Sequence, residues 1–190
     1  AFILVDGTGA WTFKFIKVAE PPAAAPVVGS WKLSPVEGAL WVGPSDESGV
    51  WWANSEADVV TRGCLFDDVI TFGSDGSVVI EQGDETWLES WQGVAAEQCG
   101  APVSPHDGAN DGTYTYDESA GTVTLNGQGS FVGLPKAYNG CEIGKAGCAA
   151  QAPGDAPSSL TYDVTVSEDG ASATFYILVD GTGMWKFIMD

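Results

Sequence analysis

Short stretches in which apolar and polar residues alternate, each ended by Gly, Asp, Asn or Pro, constrain this 190-residue chain more than any other feature. Residues 160–167 read L-T-Y-D-V-T-V-S, with Tyr162, Val164 and Val166 on one face, and after Glu168-Asp169-Gly170 the chain returns as A-T-F-Y-I-L-V. A period of two is the period of a strand, and an Asp-Gly pair supplies the positive φ angles of a tight hairpin turn. The same pattern joins D-D-V-I-T-F-G to S-V-V-I-E-Q through Ser74-Asp75-Gly76, Thr113–Asp117 to Gly121–Asn126, and the last two strands around Asp180 to Gly183. No segment carries a convincing helical period, so none is assigned a helix. Successive hairpins without a run suited to a parallel crossover predict an all-β fold, an antiparallel up-and-down meander that closes into a barrel. A two-sheet β-sandwich is the alternative.

The chain also repeats itself. Residues 2–9, F-I-L-V-D-G-T-G, match residues 176–183, Y-I-L-V-D-G-T-G, and the match continues through Trp11 and Trp185 to Phe13 and Phe187. Such periodicity marks an array of modules. Residues 1–18 therefore read as the C-terminal hairpin copy of a preceding repeat, 19–27 as a Pro/Ala linker (A-E-P-P-A-A-A-P over 19–26), and 28–190 as the module proper. Two stretches, 93–112 and 135–158, neither alternate nor resemble ordinary turns, and loops of that length are functional or poorly ordered. Each holds at least one cysteine, which favours order.

With 7 basic and 26 acidic residues the net charge is −19. Nucleic acid and anionic membrane surfaces would be repelled, and no basic stripe exists to overcome this. No apolar run is long enough to insert in a membrane. Four cysteines without paired C-x2-C spacing suit two disulfides in an oxidising compartment. We pair Cys141 with Cys148 as a local loop staple and Cys64 with Cys99 as the longer crosslink, which places the protein outside the cell.

The segments V-G-S-W-K-L (28–33), F-D-D-V-I-T-F-G-S-D-G-S, G-T-Y-T-Y-D-E-S-A-G-T-V-T-L, L-T-Y-D-V-T-V-S-E-D-G and the closing W-K-F-I, in this order, resemble the bacterial lipocalin-like domains. More narrowly, E-T-W-L-E-S-W-Q-G-V and C-G-A-P-V-S-P-H-D-G resemble modules of large secreted proteins of marine bacteria, sometimes found beside laminarinase-like glycoside hydrolase domains. The resemblance covers the whole module and implies a lipocalin-like β-barrel in an extracellular, carbohydrate-related setting. It also implies that Trp31, at the G-x-W position, closes the barrel floor with Trp185 beside it. The insert holding Cys141 and Cys148 departs from the simple barrel pattern.

Tryptophan is the residue type that points to binding, since an indole face stacks on a sugar ring while its N–H reaches a hydroxyl. Trp51 and Trp52 are adjacent, so in a strand one must face outward; Trp87 and Trp91 would share a face if their strand continued, with Glu85, Glu89 and Gln92 as polar partners. His106, the only histidine, and Asp107 would orient hydroxyls. Asp67, Asp68 and Asp84 are calcium candidates, although the D-x-D-x-D-G loop is lacking. Arg62, the sole arginine, reads as an ion-paired structural residue beside Cys64. No G-x-S-x-G, H-E-x-x-H, phosphate loop or E-x-D-x-x-E signature occurs, so no enzyme is expected and no cofactor beyond Ca2+.

The functional expectation is a non-catalytic extracellular module of a tandem-repeat protein that binds a polysaccharide or cell-surface glycan through exposed Trp. The alternative is a structural repeat of a fibre, adhesin or matrix, in which residues 2–16 pair with a neighbouring copy. A lipocalin-style carrier of a small apolar ligand would need a hollow interior, and eight tryptophans speak for a filled one.

Overall fold

The computed structural model describes residues 24–190 and the backbone of two strands before them, β1 (Phe2–Val5) and β2 (Gly9–Thr12). The remainder of the expected 1–18 copy and residues 19–23 of the expected linker lie outside the described residues. β1 and β2 pair antiparallel in a sheet of their own, with Phe2 opposite Thr12 and Ile3 opposite Trp11.

The body of the chain is all-β. Along it run β3 (Gly29–Lys32), β4 (Leu40–Pro44), β5 (Trp52–Ala53), β6 (Val69–Phe72), β7 (Ser77–Glu81), β8 (Thr86–Leu88), β9 (Gln98–Gly100), β10 (Gly112–Asp117) and β11 (Thr122–Asn126). After them come β12 (Ala137–Tyr138), β13 (Cys141–Glu142), β14 (Ser159–Val166), β15 (Ala173–Leu178) and β16 (Gly183–Met189). Ten of these form one antiparallel sheet in the order β3-β6-β7-β10-β11-β14-β15-β16-β4-β5, and β8-β9 and β12-β13 are two-stranded flaps. The hairpins expected at Asp75, between Asp117 and Gly121, at Asp169 and at Asp180 are all present. Each turn is set by an aspartate that accepts backbone N–H groups two or three residues on: Asp75 from Ser77, Asp117 from Ser119 and Ala120, Asp169 from Ala171, and Asp180 from Thr182. This is the local bonding for which Asp is favoured in turns.

Barrel closure is corrected. The sheet has two ends, β3 and β5, and β3 approaches β16 only at one bridge, Leu33 opposite Met189, flanked by reciprocal backbone bonds between Lys32 and Asp190. The sheet instead folds over on itself, closer to the two-sheet alternative. Phe72 of β6 and Phe175 of β15, with four strands between them in the sheet order, stack at 6.0 Å with planes 7° apart. One apolar core lies between the facing halves, built from Trp31, Phe72, Val123, Leu125, Tyr162, Phe175, Ile177 and Phe187. It is filled; the apolar pocket lined by Leu33, Leu65, Ile70, Phe131 and Met189 has room for about 20 Å³, no more than a water molecule. A carrier of apolar ligands is thus not supported by the interior.

Two short helices interrupt the meander, against the expectation of none. Helix α1 (Glu56–Thr61) starts at Ser55 with a capping box, in which Asp58 N–H donates to Ser55 Oγ and Ser55 N–H to Asp58 Oδ2. S-E-A-D, residues 55–58, is a helix-start signal set among residues of strand period. Helix α2 (Gly63–Phe66) tucks Leu65 and Phe66 into the core. Cys64 in α2 is bonded to Cys99 in β9, and Cys141 in β13 to Cys148, so both long irregular stretches are pinned. No helix among the described residues is long and apolar enough to cross a membrane.

Candidate functional site

A cleft of about 350 Å³ opens where β4, β5 and β16 meet the flaps and α1. Its floor is aromatic. Trp51, 58% exposed, is the most open indole of the described residues, and Trp52 lies beside it at a 6.1 Å centroid distance from Trp185. Trp51 rests on the start of β16 because Gly183 has no side chain; a Cβ there would sit 2.8 Å from the indole Cζ3. Strand alternation sends Val42 and Trp185 into the cleft and turns their neighbours Trp41 and Lys186 to the opposite face, where the Lys186 ammonium lies 5.4 Å from the Trp41 ring.

The walls are charged, and the charges come in pairs. The Arg62 guanidinium lies over both Trp52 and Trp87, 5.0 and 4.6 Å from their rings, and contacts Glu97 at 3.4 Å and Asp58 at 3.9 Å. Lys136 donates to Glu89 Oε1 at 2.7 Å and lies 4.8 Å above the Trp185 ring, while Glu89 Oε2 accepts from Trp91 Nε1 at 2.9 Å. Glu142 Oε1 accepts from Trp185 Nε1 at 2.6 Å, and its Oε2 lies 3.8 Å from Lys145, which also approaches Asp180. The short charge-assisted bonds to Glu89 and Glu142 hold these two carboxylates in place, while Glu97 and Lys145 stand more exposed.

Of the glycan residues expected from sequence, Trp51 and Trp52 line the cleft and the others do not. Trp87 is 5% exposed and sits behind Arg62. Trp91 does not share its face, because β8 ends at Leu88 and residues 90–92 form a 3-10 turn; its ring packs with Ile143, Ala150 and Ala156 under the second long loop. His106 is 3% exposed, edge-on to Trp91 and Phe131, with Nδ1 lacking a partner, and burial pulls its pKa down to about 4. It is a neutral core side chain, not a surface orienter. Asp107 accepts from Ala109 N–H within its own loop.

Asp67 and Asp84 border an open groove beside the Cys64–Cys99 disulfide, whereas Asp68 turns inward, accepting from Thr86 Oγ1 at 2.6 Å. Burial raises the Asp68 pKa to about 7. Among the described residues no three His, Cys, Asp or Glu side chains are grouped to hold a metal ion, so the calcium expectation gains no site. Sequence reasoning missed Lys136, Glu142, Lys145 and Trp185 as cleft residues and assigned Arg62 a structural role alone. Nothing local marks them: Arg62 meets Trp87 and Glu97, Lys136 meets Glu89 and Trp185, and Lys145 meets Asp180, all between segments far apart in sequence.

Scanned against family models, curated proteins and solved structures, the chain matches none.

Proposed function

We propose that the protein is a non-catalytic extracellular module that binds a polysaccharide in this cleft. The observation that carries the reading is Trp51, an indole kept open to solvent at the mouth of a cleft whose floor continues through Trp52 and Trp185. A flat apolar face bordered by fixed donors and acceptors is what the two sides of a sugar ring require. The cleft carboxylates Glu89, Glu97 and Glu142 are each engaged by a cation, and two of them by an indole N–H as well, which suits holding a ligand better than moving protons. Two disulfides, with no free cysteine, support an oxidising environment outside the cell. Kinship with the lipocalin-like modules of secreted bacterial proteins is part of the same proposal and rests on the order of the turn motifs. Affinity electrophoresis through gels containing glucan, mannan, galactan or alginate tests the reading: retardation by at least one polymer, lost in Trp51→Ala, is expected, and unaltered mobility in all of them refutes it.

A second reading, a structural repeat that joins neighbouring copies, is favoured by one observation. β1 and β2 pair in the register of β15 and β16, since Ile3 opposite Trp11 and Leu4 opposite Ala10 repeat Ile177 opposite Trp185 and Leu178 opposite Met184. The copy thus conserves strand pairing as well as sequence. Electron microscopy and sedimentation of the purified chain distinguish the readings: filaments abolished by Ile3→Asp favour assembly, and a monomer at all concentrations speaks against it.

A further inference from the structure

Positive charge is scarce in this molecule and is not evenly spread. Of seven Lys and Arg residues, Lys14 and Lys17 precede residue 24; of the other five, Arg62, Lys136 and Lys145 all line the one aromatic cleft. Among the acidic residues described, Glu89, Glu97 and Glu142 line it with them. Asp58 and Asp180 add to them from the edge, against Arg62 and Lys145, so the cleft holds its three cations with no surplus of positive charge in a chain of net charge −19.

We infer that the cleft selects an uncharged polysaccharide, an inference that rests on the glycan-binding reading and names its ligand class. An anionic sugar, carrying carboxylate or sulfate, would approach Lys136 against the charge of Glu89, 2.7 Å from the ammonium, and Arg62 against that of Glu97, at 3.4 Å. Either approach sets an anion beside a carboxylate that already neutralises the cation, and the repulsion is strongest at the largely buried Lys136–Glu89 pair, where water screens it least. A hydroxyl has no such conflict, because it donates and accepts at once. The Lys136 ammonium has three N–H donors, of which Glu89 takes one, and adjacent ring hydroxyls fit a donor and an acceptor standing side by side. Trp51 then carries the apolar face of the ring. The surrounding −19 charge acts in the same direction, since it repels polyanions before they reach the cleft.

The inference is tested on the whole chain by calorimetry against two neutral polymers, laminarin and a galactomannan, and two charged ones, alginate and a sulfated galactan, each in 0.05 M and about 0.5 M NaCl, concentrations that differ severalfold in screening. Binding to a neutral polymer that changes little between the two salts, with weaker or no binding to the charged pair, is expected. Glu97→Gln, at the exposed rim, takes one of the carboxylates away from Arg62 and is expected to raise affinity for the charged polymers about two- to fivefold at low salt, as for one partly exposed ion pair. Binding to the charged polymers that equals or exceeds that to the neutral ones overturns the inference and leaves glycan binding standing. So does a Glu97→Gln variant whose preference is unchanged. Absence of binding to all four removes the glycan reading itself, and the ligand class with it.

Discussion

The guanidinium of Arg62 lies 4.6 Å from the ring of Trp87 and 5.0 Å from that of Trp52. A buried indole and a cleft indole are joined through one cation, so the position of the binding floor depends on the core behind it. A planar guanidinium can stack on two rings and still meet Glu97 and Asp58; an ammonium cannot. Arg62→Lys is expected to lower stability by about 0.5–2 kcal/mol and to weaken glycan binding without abolishing it. Thermal unfolding and tryptophan fluorescence check this, and a wild-type emission spectrum in the variant would show that Trp52 does not need the cation.

Trp51 can be displaced without being mutated. Gly183→Ala puts a methyl group 2.8 Å from its ring, so the indole must swing off the start of β16. Retention on polysaccharide gels is expected to fall in Gly183→Ala as it does in Trp51→Ala, while both variants unfold within a few degrees of the parent because the ring is 58% exposed. Full binding by Gly183→Ala would mean that the seat of the indole is not important.

Burial gives two groups opposite pH responses. Asp68, raised to about 7, is protonated in the fold, so its contribution is fully present below the ordinary carboxylate pKa and is lost as pH rises through about 7. His106, lowered to about 4, contributes above the ordinary imidazole pKa and loses that contribution as pH falls toward about 4. Asp68→Asn is expected to raise Tm at pH 8 and to narrow its advantage by pH 5, at about 2–4 °C for each kcal/mol in a chain of this size. Equal Tm differences at both pH values, measured by calorimetry, would contradict the assignment.

The two disulfides close loops of very different length, with sequence separations of 35 and 7. Loop entropy assigns about 3–4 kcal/mol to the longer crosslink and about 2 kcal/mol to the shorter. The longer one also ties β9, next to Glu97, to α2, next to Arg62. A Cys64→Ser/Cys99→Ser chain is expected to lose more stability than Cys141→Ser/Cys148→Ser in urea unfolding and to bind glycan more weakly. The reverse order would show that the second long loop, not the first, holds the cleft.

Tyr162 is fully buried and its hydroxyl oxygen accepts the Val132 N–H at 3.1 Å. Tyr162→Phe keeps the ring and strands that N–H, at a cost of about 1–3 kcal/mol. Denaturant titration should show a shifted midpoint with an unchanged slope; no shift would mean that the donor finds another partner.

Much of the sheet could be read from short windows. Strand period and turn chemistry act within about ten residues, so the hairpins around Asp75, Asp117, Asp169 and Asp180 were legible without any tertiary information. The Trp87–Trp91 spacing misled for the same local reason: four residues apart means a shared face only while the strand lasts, and it ends at Leu88. Ser55 and Asp58 did announce a helix start, in a pattern of a different period from the one being followed.

The antiparallel, hairpin-built nature of the chain, its acidity, the cysteine inventory and an adjacent indole pair with one outward ring can all be read from the order of the residues. Long-range packing sets the rest: the sheet folds over rather than closing, His106 and Trp87 are interior, and Arg62, Lys136 and Lys145 converge on Trp51, Trp52 and Trp185. The physical reason is distance along the chain. Alternation and turns are fixed by neighbours, whereas a pairing such as Lys136 with Glu89, 47 residues apart, exists only after the sheet has brought its segments together.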